Sequence, residues 1–133
     1  MLIKTLRKGD TAVLLCMLRD ADGTPFIASD LTGSPVGQVS VALKRDFFPF
    51  DSVSLQGATT SLYDPPRGTT AVPDPRWVPG IDGEDGFNVQ AIIPGVNFST
   101  AGTYLATVKI TKGGSLTPPV STAVFRIHVG TGQ

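Results

Sequence analysis

The chain contains one cysteine, one histidine and one tryptophan, and each scarcity excludes something. With Cys16 alone no intrachain disulfide can form. Inside the apolar run AVLLCML it reads as a small buried residue, because a reactive thiol needs a base or a positive charge beside it. His128 has no second histidine or cysteine pair to complete a zinc site. No GxSxG elbow singles out a serine, and the glycine spacings near 80–86 lack the strand-then-helix context of a phosphate loop. The reading is a protein that is not an enzyme, with no metal or cofactor. No apolar run approaches the roughly 18–20 residues that cross a bilayer, and MLIKTLRKGD has no secretory h-region or cleavage site. A chain made and kept in a cytosol, without a membrane partner, is expected. Charged residues are only 17%, against about 25% in ordinary soluble domains. Such a surface is either covered in part by partners or simply rich in Thr, Ser and Gly. Net charge is zero and the Lys and Arg are scattered along the chain, so no nucleic-acid partner is expected.

A helical apolar period is missing as well. Instead, 15 glycines and 11 prolines punctuate short runs rich in Val, Ile, Thr, Leu and Phe. The runs 11–20, 36–46, 87–94, 103–111 and 120–129 read as strands. Val39, Val41 and Leu43 alternate with polar or small neighbours. So do Phe87, Val89, Ala91 and Ile93, then Tyr104, Ala106, Val108 and Ile110, and finally Ala123, Phe125, Ile127 and Val129. This two-residue period places one face of each strand in a core. The expected fold is all-β, an antiparallel sandwich of about seven strands in a single domain, residues 1–133.

Two features break the pattern. Around 12–18 both strand faces are apolar, so Val13, Leu15 and Met17 need a cover: the long middle segment, the N-terminal residues or another subunit. Leu105 and Val124 also point outward by alternation. Residues 47–86 are proline-rich and alternate weakly, which reads as an inserted loop or hairpin, because a structureless connection of that length is rare in a compact domain. Its Phe47, Phe48, Phe50, Tyr63 and Trp77 either anchor a neighbouring molecule or plug one end of the chain's own core. Together with Val13, Leu15 and Met17 they form the candidate partner interface. Trp77 beside Arg76 and Asp74 also suits a glycan, an alternative reading as a host-surface adhesin.

Two acidic clusters are candidate cation sites. From Asp20 the alternate positions are Asp22 and Thr24, but Pro25 stands where a calcium loop needs glycine and Leu31 where it needs glutamate. Asp22-Gly23 is a hairpin signal instead, so Asp20, Asp22 and Gly23 are assigned to a structural turn. Asp82, Glu84 and Asp85 lie together without a supporting ligand pattern. Gly102-Thr103-Tyr104 matches the G-x-Y of immunoglobulin-like sandwiches, where the Tyr hydroxyl pins the preceding turn. Ala106 stands where a bridging cysteine would, and Cys16 on the early strand is the position it would face.

The string KGDTAVLLCMLRDADGTPFIASDLTGSPVGQVSVALK, with Gly9, Asp10, Leu18, Asp20, Asp22, Gly23 and the Asp30–Gly33 motif DLTG, resembles the N-terminal domain of phage baseplate upper proteins and, more widely, Ig-like bacteriophage virion domains. The closing half, with its Gly-x-Tyr strand and VFRIHV, is similar to the family's second half. The resemblance spans about 90 residues in two blocks and implies an Ig-like sandwich. It further implies a structural subunit of the virion (tail, baseplate, neck or capsid exterior), assembled in the bacterial cytoplasm and contacting other virion proteins and copies of itself.

Overall fold

The computed structural model of the chain describes residues 2–83 and 86–131. Two sheets face one another. The larger holds β1 (Leu2–Arg7), β8 (Val120–Gly130), β7 (Gly102–Thr111), β3 (Gln38–Arg45) and β4 (Ser52–Val53), in that order. The smaller holds β2 (Ala12–Cys16), β6 (Phe87–Ile93) and β5 (Thr59–Arg67). The fold is all-β, with no α-helix among the described residues and short 3-10 turns at Ala28–Leu31 and Gly95–Asn97.

The core lies between the sheets and follows the two-residue alternation. Tyr104, Ala106, Val108 and Ile110 of β7 are buried, as are Phe125, Ile127 and Val129 of β8, Leu14 and Cys16 of β2, and Val89, Ala91 and Ile93 of β6. On β3, Leu43 is buried while Val39 and Val41 pack against the core from its margin. Cys16 and Ala106 share this core, and burial pushes the Cys16 thiol up to about 12.

The structure departs from the sequence reading at four places. The pairing is not wholly antiparallel, because β1 runs parallel to β8 with Leu2 opposite Phe125 and Arg7 opposite Gly130. The described residues form eight strands rather than about seven. The run 11–20 does not continue as one strand: β2 stops at Cys16, and beyond it the side chain of Asn88 takes over the hydrogen bonds of Leu18. Finally, 47–86 is not an insertion set apart from the sandwich. It supplies β4 at one edge of the larger sheet and β5 at one edge of the smaller. Its prolines disguised β5. Pro65 and Pro66 cannot donate to a ladder, which confines them to an edge strand or a bulge. Pairing with β6 accordingly shifts register between Leu62 and Arg67.

The DLTG motif clamps a corner. The Asp30 carbonyl accepts the Gly113 N–H at 2.8 Å, and the Leu31 carbonyl accepts the Gly37 N–H at 2.9 Å. Gly33, at φ +118°, approaches the second turn so closely that a Cβ there would lie 2.8 Å from Gly114 Cα. The loop before β3 is thus stitched to the β7–β8 turn by backbone bonds, with Lys112 Nζ 3.7 Å from the Asp30 carboxylate beside them.

Candidate functional site

Trp77, Tyr63 and Phe87 gather on the outer side of the smaller sheet. Phe87 is fully buried, yet it packs with Tyr63 (edge-on, centroids 5.7 Å apart) and Trp77 (5.6 Å) rather than joining the main core. Alternation alone would place it with Val89. The segment 74–83 folds over it and buries Phe87 from outside. Among these rings lies a charged knot. Asp74, only 5% exposed, accepts the Arg76 backbone N–H at 2.9 Å, Arg76 Nε at 3.1 Å and Nη2 at 3.0 Å. Arg67 Nε approaches the same carboxylate at 3.4 Å. Gln90, on β6, accepts from Tyr63 Oη and from Arg76 Nη1. The guanidinium planes cover the rings, Arg67 over Tyr63 at 5.0 Å and Arg76 over Phe87 at 5.4 Å. Bonds from the Arg76 side chain, then from its backbone, hold the Asp74 carboxyl down at about 2. The reciprocal bond raises Arg76 above its ordinary value.

This knot changes the standing of several interface candidates. Tyr63 and Trp77 cover the chain's own Phe87. The Trp77 Nε1–H is given to the Gly83 carbonyl at 3.3 Å, and Asp74 is saturated by arginines, which leaves a sugar few groups to bond. Leu15, outward by alternation, is 9% exposed and lines a crevice with Leu2, Arg76, Trp77 and Asp82. Met17 lines its continuation. The second apolar face of β2 is therefore covered in large part by the N-terminal strand and the middle segment of the same chain. Val13 and Met17 stay half-buried. Phe47 also turns inward, edge-on to Tyr104 at 5.3 Å.

Phe48 and Phe50 behave differently. They are 85% and 56% exposed on the β3–β4 turn. Phe50 holds φ +60°, a left-handed conformation that is uncommon for a bulky residue and costs about 1–3 kcal/mol. The surrounding turn imposes it: the Arg45 N–H donates to Asp51 O at 2.9 Å and the Asp46 N–H to Thr103 O at 2.8 Å.

The turn residues are placed as follows. The Asp20 carboxylate accepts the N–H groups of Asp22 (2.9 Å) and Thr24 (3.0 Å), and the Gly23 N–H donates to Asp20 O. Gly23 sits at φ +82°. Asp20 is thus directed at its own backbone, while Asp22 projects from the tip. Tyr104 Oη donates to Thr100 O at 2.7 Å, and Gly102 leaves room for the Phe47 ring, 2.6 Å from where a Cβ would stand. Asp82 accepts the Val78 N–H at 2.7 Å; Glu84 and Asp85 lie outside the described residues. Among the described residues no group of three or more His, Cys, Asp or Glu could hold a metal ion. His128 Nδ1 lies 3.0 Å from Thr103 Oγ1.

Two asparagines escaped the sequence reading. Asn88 is fully buried and binds Leu18 and Phe26. Asn97 fixes the Gln56 backbone through both ends of its amide, at 2.8 and 3.0 Å. The only local signal was a polar amide flanked by apolar residues, FNV and VNF, within or beside a strand. The outer face of the larger sheet is a shallow groove lined by Ala42, Lys44, Leu105, Thr107 and Val124.

No protein-family model matches the chain, and neither does any curated protein or solved structure. What the chain does is read from its surfaces.

Proposed function

We propose that the chain is an Ig-like structural subunit of a bacteriophage particle, held in place by contacts with other virion proteins and with copies of itself. The phage assignment rests on the sequence resemblance. Support for the Ig-like frame comes from the strand order: a first strand parallel to the last, β3 beside β7, and β2–β6–β5 as the opposing sheet. The Tyr104 hydroxyl on Thr100 adds the corner bond typical of such sandwiches.

The contact role is carried by one observation, the exposed Phe48 and Phe50 on a turn that is bonded to the body of the domain. Large rings held rigidly in water bury area on binding at low entropic cost. Of the aromatics in 47–86, these are the ones that do not serve the chain's own packing. In the native particle, the pair Phe48→Ser and Phe50→Ser should leave the melting temperature nearly unchanged and lower incorporation about tenfold, an effect of little over 1 kcal/mol. Purified virions examined by mass spectrometry decide the reading. A chain absent from them, or a double variant incorporated as well as wild type, refutes it.

A further inference from the structure

Zero net charge conceals a segregation. The strands of the larger sheet contain no Asp or Glu, while they carry Lys4, Arg7, Lys44, Arg45, Lys109 and Arg126. All 11 carboxylates of the chain lie elsewhere. On the outer face of that sheet, register sets Lys44 opposite Leu105 and Leu105 opposite Arg126. The two cations are therefore spaced about 10 Å apart, two strand widths, with Leu105 between them. Lys109 lies further along β7 on the same face. Lys44, Lys109 and Arg126 have no carboxylate partner among the described residues. Half-buried Leu105 and Val124 form the floor of the groove.

The complementary charge is at the end of the smaller sheet where β2 stops and β6 begins. The carboxylate of Asp22, at the exposed hairpin tip, has no hydrogen-bond or ion-pair partner among the described residues, and the one cation of that hairpin, Arg19, donates from Nη1 to the Gly23 carbonyl at 2.7 Å. Asp64 and Asp82, both exposed, each accept one backbone N–H.

We propose that the outer face of the larger sheet docks a second copy of this chain, which presents the acidic end of its smaller sheet with Asp22 between Lys44 and Arg126. The inference deepens the subunit role and rests on it for the presence of neighbouring copies. Charge complementarity selects the occupant, since like faces would set lysines against lysines. A polyanion would also be drawn to the cations, but the Leu105 and Val124 floor offers it no hydrogen bond, whereas it suits the small residues of the tip, Ala21 and Gly23. The two surfaces differ, so the contact is heterologous and repeats into a ring or a row.

Sedimentation of the purified chain tests this. Wild type should associate in a concentration-dependent way, with an apparent Kd that weakens at least about tenfold between about 25 and 300 mM NaCl as the Debye length shrinks. The pair Lys44→Glu and Arg126→Glu should weaken association about tenfold or more, and Asp22→Lys should do likewise. Mixing the two variants should restore it. If the reversal pair fails to fold, Lys44→Gln with Arg126→Gln serves instead, with a smaller loss. A wild type that stays monomeric at about 1 mM in low salt, variants that associate normally, or a mixture that stays apart overturns the proposal. So does a monomeric wild type that binds heparin or single-stranded DNA through Lys44 and Arg126, which would assign the face to a polyanion. Each of these outcomes removes this surface and leaves the subunit role to its own test, the composition of purified particles.

Discussion

Replacing Asn88 should be among the most damaging single changes in the chain, although the residue is neither large nor charged. Its amide is fully buried. Oδ1 accepts the Leu18 N–H at 2.8 Å, while Nδ2 donates to Leu18 O at 2.9 Å and Phe26 O at 3.1 Å. Leu18 O keeps the Phe26 N–H at 3.1 Å if Asn88 is lost. The Leu18 N–H and the Phe26 carbonyl do not keep these bonds, and both residues are buried. An orphaned buried backbone group costs about 1–3 kcal/mol. Two of them, with some relaxation, and a small cavity put Asn88→Ala at about 3–5 kcal/mol. For a domain of this length that is a fall of about 10–20 °C in melting temperature. Urea unfolding followed by the single Trp77 measures it directly. Asn88→Asp sharpens the test, because it keeps the acceptor and turns the second oxygen toward the carbonyls of Leu18 and Phe26. The introduced carboxyl is then held above its ordinary value. Its protonation restores a donor, and the variant gains stability as pH falls from about 7 to 5. A loss below about 1 kcal/mol for the alanine variant would mean that water reaches Leu18 and Phe26. The amide would then not be what closes the 18–26 hairpin onto the sheet.

Other predictions concern separate parts of the fold. Gly102→Ala should cost about 1–3 kcal/mol in denaturant titration, because the backbone at φ +148° disfavours a side chain and the Phe47 ring occupies its space. Tyr104→Phe should cost about 1 kcal/mol by the same assay, through loss of the hydroxyl bond to Thr100. The Asp74 knot makes stability acid-sensitive. Its carboxyl is held at about 2, below an unfolded value near 4. Its contribution is thus fully present above about pH 4 and is lost as pH falls from there through about 2. In Asp74→Asn, thermal melts should show that part of the acid dependence removed. The Cys16 thiol, buried and pushed up to about 12, should react with a thiol reagent at pH 8 only after unfolding, with one equivalent then released. Rapid labelling of the native chain would contradict its place in the core.

The sequence by itself determined the all-β class and most core positions. The period-two runs of β3, β7 and β8 turn the residues that alternation selects toward the core, burying those of β7 and most of β8 and leaving Val39 and Val41 of β3 at its margin, because successive side chains of a pleated strand point to opposite faces. The hairpin at Asp22-Gly23 and the Tyr104 corner were also legible, since their chemistry is local: a carboxylate folded onto its own N–H groups and a tyrosine hydroxyl bonded to a carbonyl four residues before it. Tertiary structure decided what covers what. Prolines concealed β5 because only its place at a sheet edge tolerates them. Phe87 obeyed alternation in sequence yet joined Trp77 and Tyr63, because the segment 74–83 folds over it. Asp74 and Arg76, which looked free for a sugar, bind each other. Asn88 had no recognisable pattern, since its partners Leu18 and Phe26 are distant in sequence. The charge segregation was invisible for the same reason. Lys44, Lys109 and Arg126 are scattered along the chain, and only pairing β3, β7 and β8 side by side gathers them onto one face.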